Sequence, residues 1–290
     1  MRPTPTAWPG LPPLLPEYVM SWSEFEYSVA DGQPLTLYEF RLGDSLFWRY
    51  SNADKDIDFA GQVWEAQAIS NSGLSSGSGD GMDITVPASN PVALLFRATP
   101  PSRAVRVRVI RWHATDTSGE FRVVWIGEIS SVKREQIESC KLITISLAST
   151  FTRVGLRLTW GRQCPYALYD HNCRVDPLRF AVSGVVVTAL DGSSITASLP
   201  AGLAIDWFSG GYIEFDRNGY TERRGLRAQD GNTLHLFGGT AGLLVGQSVT
   251  LYPGCDRTIA TCDSKFSNHL NYGGQPHMPG KSPYTIIKLF

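Results

Sequence analysis

Val105-Arg-Val-Arg-Val-Ile-Arg111 alternates apolar and basic side chains. Successive strand residues point to opposite faces, so this alternation marks a half-buried β-strand, with its arginines read on one face. A nucleic-acid surface is one reading of that ladder. The balance of 26 Lys and Arg against 27 Asp and Glu, a net charge of −1, favours a solvated or interface face of a sheet instead.

The same period continues on both sides. Leu35–Phe40, Phe47–Tyr50, Val63–Ile69 and Met82–Val86 read as strands upstream, and Arg122–Ile126 and Lys141–Leu147 downstream. Gly73–Gly81 is a Ser/Gly/Asp loop. Ser89-Asn-Pro-Val-Ala-Leu-Leu-Phe96 is the best helix candidate: Ser89 or Asn90 suits the cap and Pro91 the first turn. Residues 18–150 therefore read as a β-sandwich or barrel with one short helix. Before them, residues 1–17 carry prolines at 3, 5, 9, 12, 13 and 16. This arm either docks on a neighbouring subunit or is a disordered tail.

A second β unit is expected over 178–252. Asp191-Gly192, Asn218-Gly219 and Asp230-Gly231 are strong hairpin turns, because these dipeptides tolerate positive φ. The flanking runs Gly184–Thr188, Gly211–Phe215, Thr233–Phe237 and Ser248–Tyr252 make a small barrel or curved sheet. The fold class is mainly β.

Four of the five cysteines form two remote pairs, Cys164 with Cys173 and Cys255 with Cys262, and the second β unit is inserted between them. No signal-peptide pattern opens the chain, and no apolar run reaches the ~18 residues of a membrane span. A reducing cytoplasm is therefore expected, where paired thiols are more often metal ligands than disulfides. Eight residues separate the first pair and six the second, against the two to four of a usual zinc knuckle. The wider spacing mildly favours a larger object such as an iron–sulfur cluster. On spacing and composition, zinc, a cluster, disulfides and four unrelated thiols stay open, with zinc in front. The metal region is 151–177 with 253–290. Cys140 opens a β run and is expected to be a thiol with no role; His171 and His277 are the nearest alternative ligands.

Trp160-Gly-Arg-Gln-Cys-Pro-Tyr-Ala-Leu-Tyr-Asp-His-Asn-Cys173-Arg-Val-Asp and Gly254-Cys-Asp-Arg-Thr-Ile-Ala-Thr-Cys262, the latter running on to Asn271-Tyr-Gly-Gly-Gln-Pro-His-Met-Pro-Gly280, resemble the two cysteine motifs of a phage conserved hypothetical family. That family includes the hub proteins of gene transfer agents and, more distantly, the tail-tip protein of lambda-like phages. Phe47–Ile57 and Val86–Phe96 are also similar to it, so the resemblance covers most of residues 20–280. It implies a baseplate or tail-tip hub, a virion component assembled in the bacterial host cytoplasm. Such a hub forms a homotrimeric ring below the distal tail protein, next to the central fibre, receptor-binding machinery and tape measure protein. It also implies a [4Fe–4S] cluster on Cys164, Cys173, Cys255 and Cys262, with zinc as the alternative.

No phosphate loop, nucleophile elbow or zincin motif is present, so no catalytic residue and no enzyme activity are expected. Asp54, Asp56 and Asp58 alternate; calcium binding is one reading and the polar face of an extended segment the better one. A spaced carboxylate pair for glycan cleavage stays open. Two other classes compete with the hub: a cytoplasmic iron–sulfur redox protein, with a reversible couple, and a secreted disulfide-stapled module, without free thiols. Neither a membrane anchor nor nucleic-acid specificity is expected.

Overall fold

The run beginning at Val105 becomes the centre of a nine-stranded sheet. The computed structural model describes residues 22–30, 32–73, 81–116, 119–152, 155, 158 and 160–279. The arm at 1–17 and most of the Gly73–Gly81 loop lie outside the described residues. The strands are β1 (Pro34–Leu42), β2 (Leu46–Ser51), β3 (Ile57–Phe59), β4 (Gln62–Ala66), β5 (Ser70–Asn71), β6 (Asp83–Pro87), β7 (Val105–His113), β8 (Phe121–Lys133) and β9 (Ser139–Ser146). Their order is β3-β4-β2-β1-β7-β8-β9-β6-β5. Although β2 and β6 stand far apart in that order, Tyr50, Phe40, Val107, Leu142 and Ile84 share one buried cluster. The sheet therefore wraps around a common core, which is what a strongly twisted sheet of this size does to bury its apolar face.

Strand β7 alternates as expected, with Val105, Val107 and Val109 buried between exposed Arg106 and Arg108. The expectation that its arginines share one face is corrected. Arg111 stands an odd number of residues from Arg108, so the pleat turns it to the opposite face. All three arginines meet carboxylates: Arg106 faces Glu128 at 3.9 Å, Arg108 faces Glu39 at 3.0 Å and Arg111 meets Glu26 at 2.8 Å. On the Arg108 side, Ile110 joins Leu37, Phe59 and Trp64 in a second small core under the β3–β4 hairpin.

Glu26 belongs to a short helix, α1 (Trp22–Tyr27), where the sequence pattern placed the start of β structure. The one helix expected from sequence, Ser89–Phe96, is α2 (Pro91–Leu95). Asn90 caps it through Oδ1, which accepts from the Val92 and Ala93 amides at 2.8 and 3.3 Å. Cys140 is buried in the main core.

After α3 (Pro177–Phe180), six strands close a barrel in the order β10-β11-β14-β13-β12-β15. They are β10 (Val182–Asp191), β11 (Ser194–Ala197), β12 (Tyr212–Arg217), β13 (Tyr220–Asp230), β14 (Thr233–Leu236) and β15 (Ser248–Tyr252). The three predicted Asx-Gly turns join β10 to β11, β12 to β13 and β13 to β14. At the second, Asn218 and Gly219 take φ of 52° and 86°, the paired left-handed geometry these residues tolerate. Val187, Ile195, Phe208, Ile213, Leu226, Leu234 and Leu251 fill the interior.

The barrel is fastened to the sheet at β13. Tyr220 is buried in the main-sheet core. Fully buried Glu222 accepts from the Ser102 amide at 3.1 and 3.2 Å and pairs with buried Arg224 at 3.1 Å. Both charges are shielded from water and matched, which is the condition for keeping them buried. Thr99 adds a hydroxyl bond to the Gly238 carbonyl at 2.8 Å.

Candidate metal centre

Beyond β15 the chain runs straight into Cys255, then into α4 (Ile259–Phe266), which carries Cys262. Thr258 caps this helix, its side chain accepting from the Thr261 amide at 3.2 Å. Cys164 lies in irregular chain and Cys173 in a turn before α3. All four side chains line one cavity of about 160 Å³, together with Tyr166, Val175, Arg257, Phe266, Asn268 and Tyr272. The structure thus brings together the four cysteines that the sequence paired at a distance. His171 and His277 are exposed and do not line it.

Several hydrogen bonds hold the two halves of this region together. The Cys164 amide donates to the Arg257 carbonyl at 3.0 Å. The Tyr272 hydroxyl reaches the carbonyls of Arg162 and Arg257 at 2.8 and 3.0 Å. The Tyr169 hydroxyl donates to the Pro253 carbonyl at 2.7 Å, and its ring meets those of Tyr212, Tyr252 and Phe266 edge-on. Gly274 permits the close approach: a Cβ there would stand 2.7 Å from the Arg162 carbonyl oxygen. Lys265 ties the region to the barrel end, donating to the Trp207 and Gly254 carbonyls with its ammonium 4.6 Å from the centre of the Trp207 ring.

Backbone strain gathers around the thiols. Tyr169, Arg174, Arg257 and Ser267 take φ of 68°, 61°, 65° and 50°. For residues with a Cβ this region costs about 1–3 kcal/mol each unless the surroundings enforce it. At Arg257 the twist aims its amide at the Cys255 sulfur, 3.3 Å away. Burial pushes the Cys255 thiol up, against that amide, with Asp256 and the Cys173 and Cys164 thiols adding to the rise. Burial, then the three other thiols, raises Cys262 to about 11. Both shifts describe a pocket where thiolate charge is costly unless a cation shares it.

The donor set is soft and anionic once deprotonated, as zinc and iron–sulfur clusters require. All five cysteines are free thiols. Among the described residues no group of three or more His, Cys, Asp or Glu side chains could hold a metal ion. The four thiols share the lining of one cavity with eleven other residues. Asp54, Asp56 and Asp58 line a separate open groove beside Trp112, where Asp56 accepts from the Ala66 amide at 2.8 Å.

Sequence reasoning placed the thiols and missed the residues that position them: Tyr169, Lys265, Asn268 and Tyr272. The Gly273-Gly274 step was the available signal, since adjacent glycines mark a close backbone approach.

Among known proteins, residues 206–282 match the family described as phage conserved hypothetical protein. No curated protein matches at a significant level. Among solved structures, a chain of the virion of a native gene transfer agent particle superposes with a TM-score of 0.72 at 20% identity, over 90% of this chain and 93% of that one. That likeness establishes the shared fold. Residues 34–176, the large sheet and the first cysteine pair, match the family described as the N-terminal attachment domain of baseplate hub proteins.

Proposed function

We propose that this chain is a structural subunit of the baseplate, or tail tip, of a long-tailed phage or phage-like particle. The observation that carries the reading is the match of residues 34–176 to the baseplate hub attachment domain. The fold shared with a gene transfer agent virion chain supports it. In this reading the protein is a virion tail component with no catalytic residue. It forms a homotrimeric ring below the distal tail protein and links the tail tube to the central fibre and receptor-binding machinery. The large sheet (18–150) attaches, and the barrel (178–252) projects from the cysteine region (151–177 and 253–290).

The second part of the proposal is that Cys164, Cys173, Cys255 and Cys262 hold a [4Fe–4S] cluster. Bound there, the cluster supplies iron–thiolate bonds that close the loop from Cys173 to Cys255, on which the barrel is built. The chain's own residues do the rest. Arg257 offers its amide to a sulfur, and Tyr169 and Tyr272 fix the backbone on either side. Cross-linking so long a loop limits the unfolded chain by roughly 4 kcal/mol. That suits a staple in an assembly that bears load.

Electron microscopy of the intact tail tests the assembly. Density for the wrapped sheet and the barrel is expected as a ring at the tail tip. Purified tails that lack the chain, or hold it elsewhere, would reject the reading.

A further inference from the structure

We propose that Asn268 is the positioning residue that clasps the two cysteine pairs, so that the protein itself assembles the four-thiol pocket before any metal group arrives. The inference rests on the four cysteines acting as one ligand set, and not on which metal they hold.

Asn268 follows α4 directly, after the left-handed Ser267. Its side-chain amide donates to the Cys173 carbonyl at 2.7 Å, across 95 residues of sequence. Its backbone amide donates to the Cys262 carbonyl at 3.0 Å. One residue therefore bonds a member of each pair. The other cross-links of the region end on neighbours of the cysteines or on the Cys164 amide; the Asn268 links end on Cys173 and Cys262 themselves. The side chain is held in turn, because Asn271 Nδ2 donates to Asn268 Oδ1 at 2.7 Å. That bond fixes which end of the Asn268 amide is oxygen and leaves the nitrogen facing Cys173. At Cys173 the amide is also occupied, by Asp170 Oδ1 at 2.6 Å. Both backbone groups of Cys173 are thus fixed without metal.

A short planar group with a donor and an acceptor is required here. Asn268→Asp keeps the shape but sets a carboxylate oxygen against the Cys173 carbonyl, so it removes the clasp at constant volume; Asn268→Ala removes it without repulsion. The test treats the metal-free full chain with a short bis-maleimide and maps the linked cysteines by peptide mass. In the wild-type chain, links between Cys173 and the second pair are expected to dominate. Their absence would overturn the proposal without any variant. In Asn268→Asp and Asn268→Ala, with far-ultraviolet circular dichroism unchanged, the cross-pair yield is expected to fall on the order of fivefold, the worth of about one hydrogen bond. The rate at which iron and sulfide restore visible absorption is expected to fall with it. Unchanged yield and unchanged loading rate in both folded variants would overturn the proposal. If the wild-type chain takes up no iron while the cross-links behave as described, the cluster reading fails and the clasp stands.

Discussion

Between Val182 and Tyr252, six strands close on themselves around a continuous apolar interior. In the flanking stretches, 160–177 and 253–279, the buried hydrophobic side chains among the described residues are Val175, Cys262 and Phe266. There the longest regular element is the eight-residue helix α4. The barrel is stabilised as most small domains are, by burial at about 25 cal/mol per Å² of apolar surface and by paired backbone groups. The cysteine region lacks that burial and holds four left-handed non-glycine residues besides. It relies on hydrogen bonds between side chains and backbone and, in the proposed reading, on a metal group held by its thiols. Two neighbouring regions of one chain thus use different sources of order, and each should fail under a different perturbation.

The largest separation is expected from Cys255→Ser. Hydroxyl is a poor ligand for soft metal, so iron content should drop to background, and the region around α4 should lose protection in hydrogen exchange while β10–β15 keep theirs. Loss of protection throughout the barrel would erase the distinction between the two regions. Leu226→Ala attacks the other region. Leu226 is fully buried in the barrel interior, and a cavity there should cost about 2–5 kcal/mol in chemical denaturation with metal content unchanged. Lys265→Met acts on the joint between them, removing the ammonium bonds to Trp207 and Gly254 while keeping most of the apolar stem. A loss of about 1–3 kcal/mol is expected, and none at all would mean the joint is held elsewhere.

The smallest effect is in pH. Burial raises the Cys262 thiol from 9.0 to about 11 in the folded chain, so the folded state keeps a proton that the unfolded state gives up. Stability from this source is complete below pH 9 and is lost as pH rises through about 11. Thermal melts of the metal-free protein should move downward over that interval. Cys262→Ala should flatten the trend.

Most of the barrel was legible in sequence, because alternation and three Asx-Gly turns leave few choices of pairing. Strands β11 and β13 were the exceptions: β11 is only four residues long, and Tyr220-Thr-Glu-Arg-Arg-Gly carries buried Glu222 and Arg224, which satisfy each other and the sheet loop and so hide the apolar period. Helix α1 escaped for a similar reason, being held by the ion pair of Glu26 to Arg111, a Glu26–His113 contact and one buried side chain, Phe25, rather than by an apolar stripe. In the cysteine pocket the thiols were visible as residue types. Tyr169, Asn268 and Tyr272 were not, since each acts through backbone carbonyls that only the folded chain brings near. Arg111 departs from the alternating ladder because its odd spacing from Arg108 reverses its face, a detail that residue type alone conceals.

The central claim is that the cysteine region is completed by a thiolate-bound cluster where the barrel needs none. Anaerobic purification of the full chain, followed by iron, zinc and acid-labile sulfide assays, tests it most directly. About four iron and four sulfide per chain are expected, with broad visible absorption that bleaches on reduction. Stoichiometric zinc without iron, or protein that carries neither metal nor acid-labile sulfide, would contradict it.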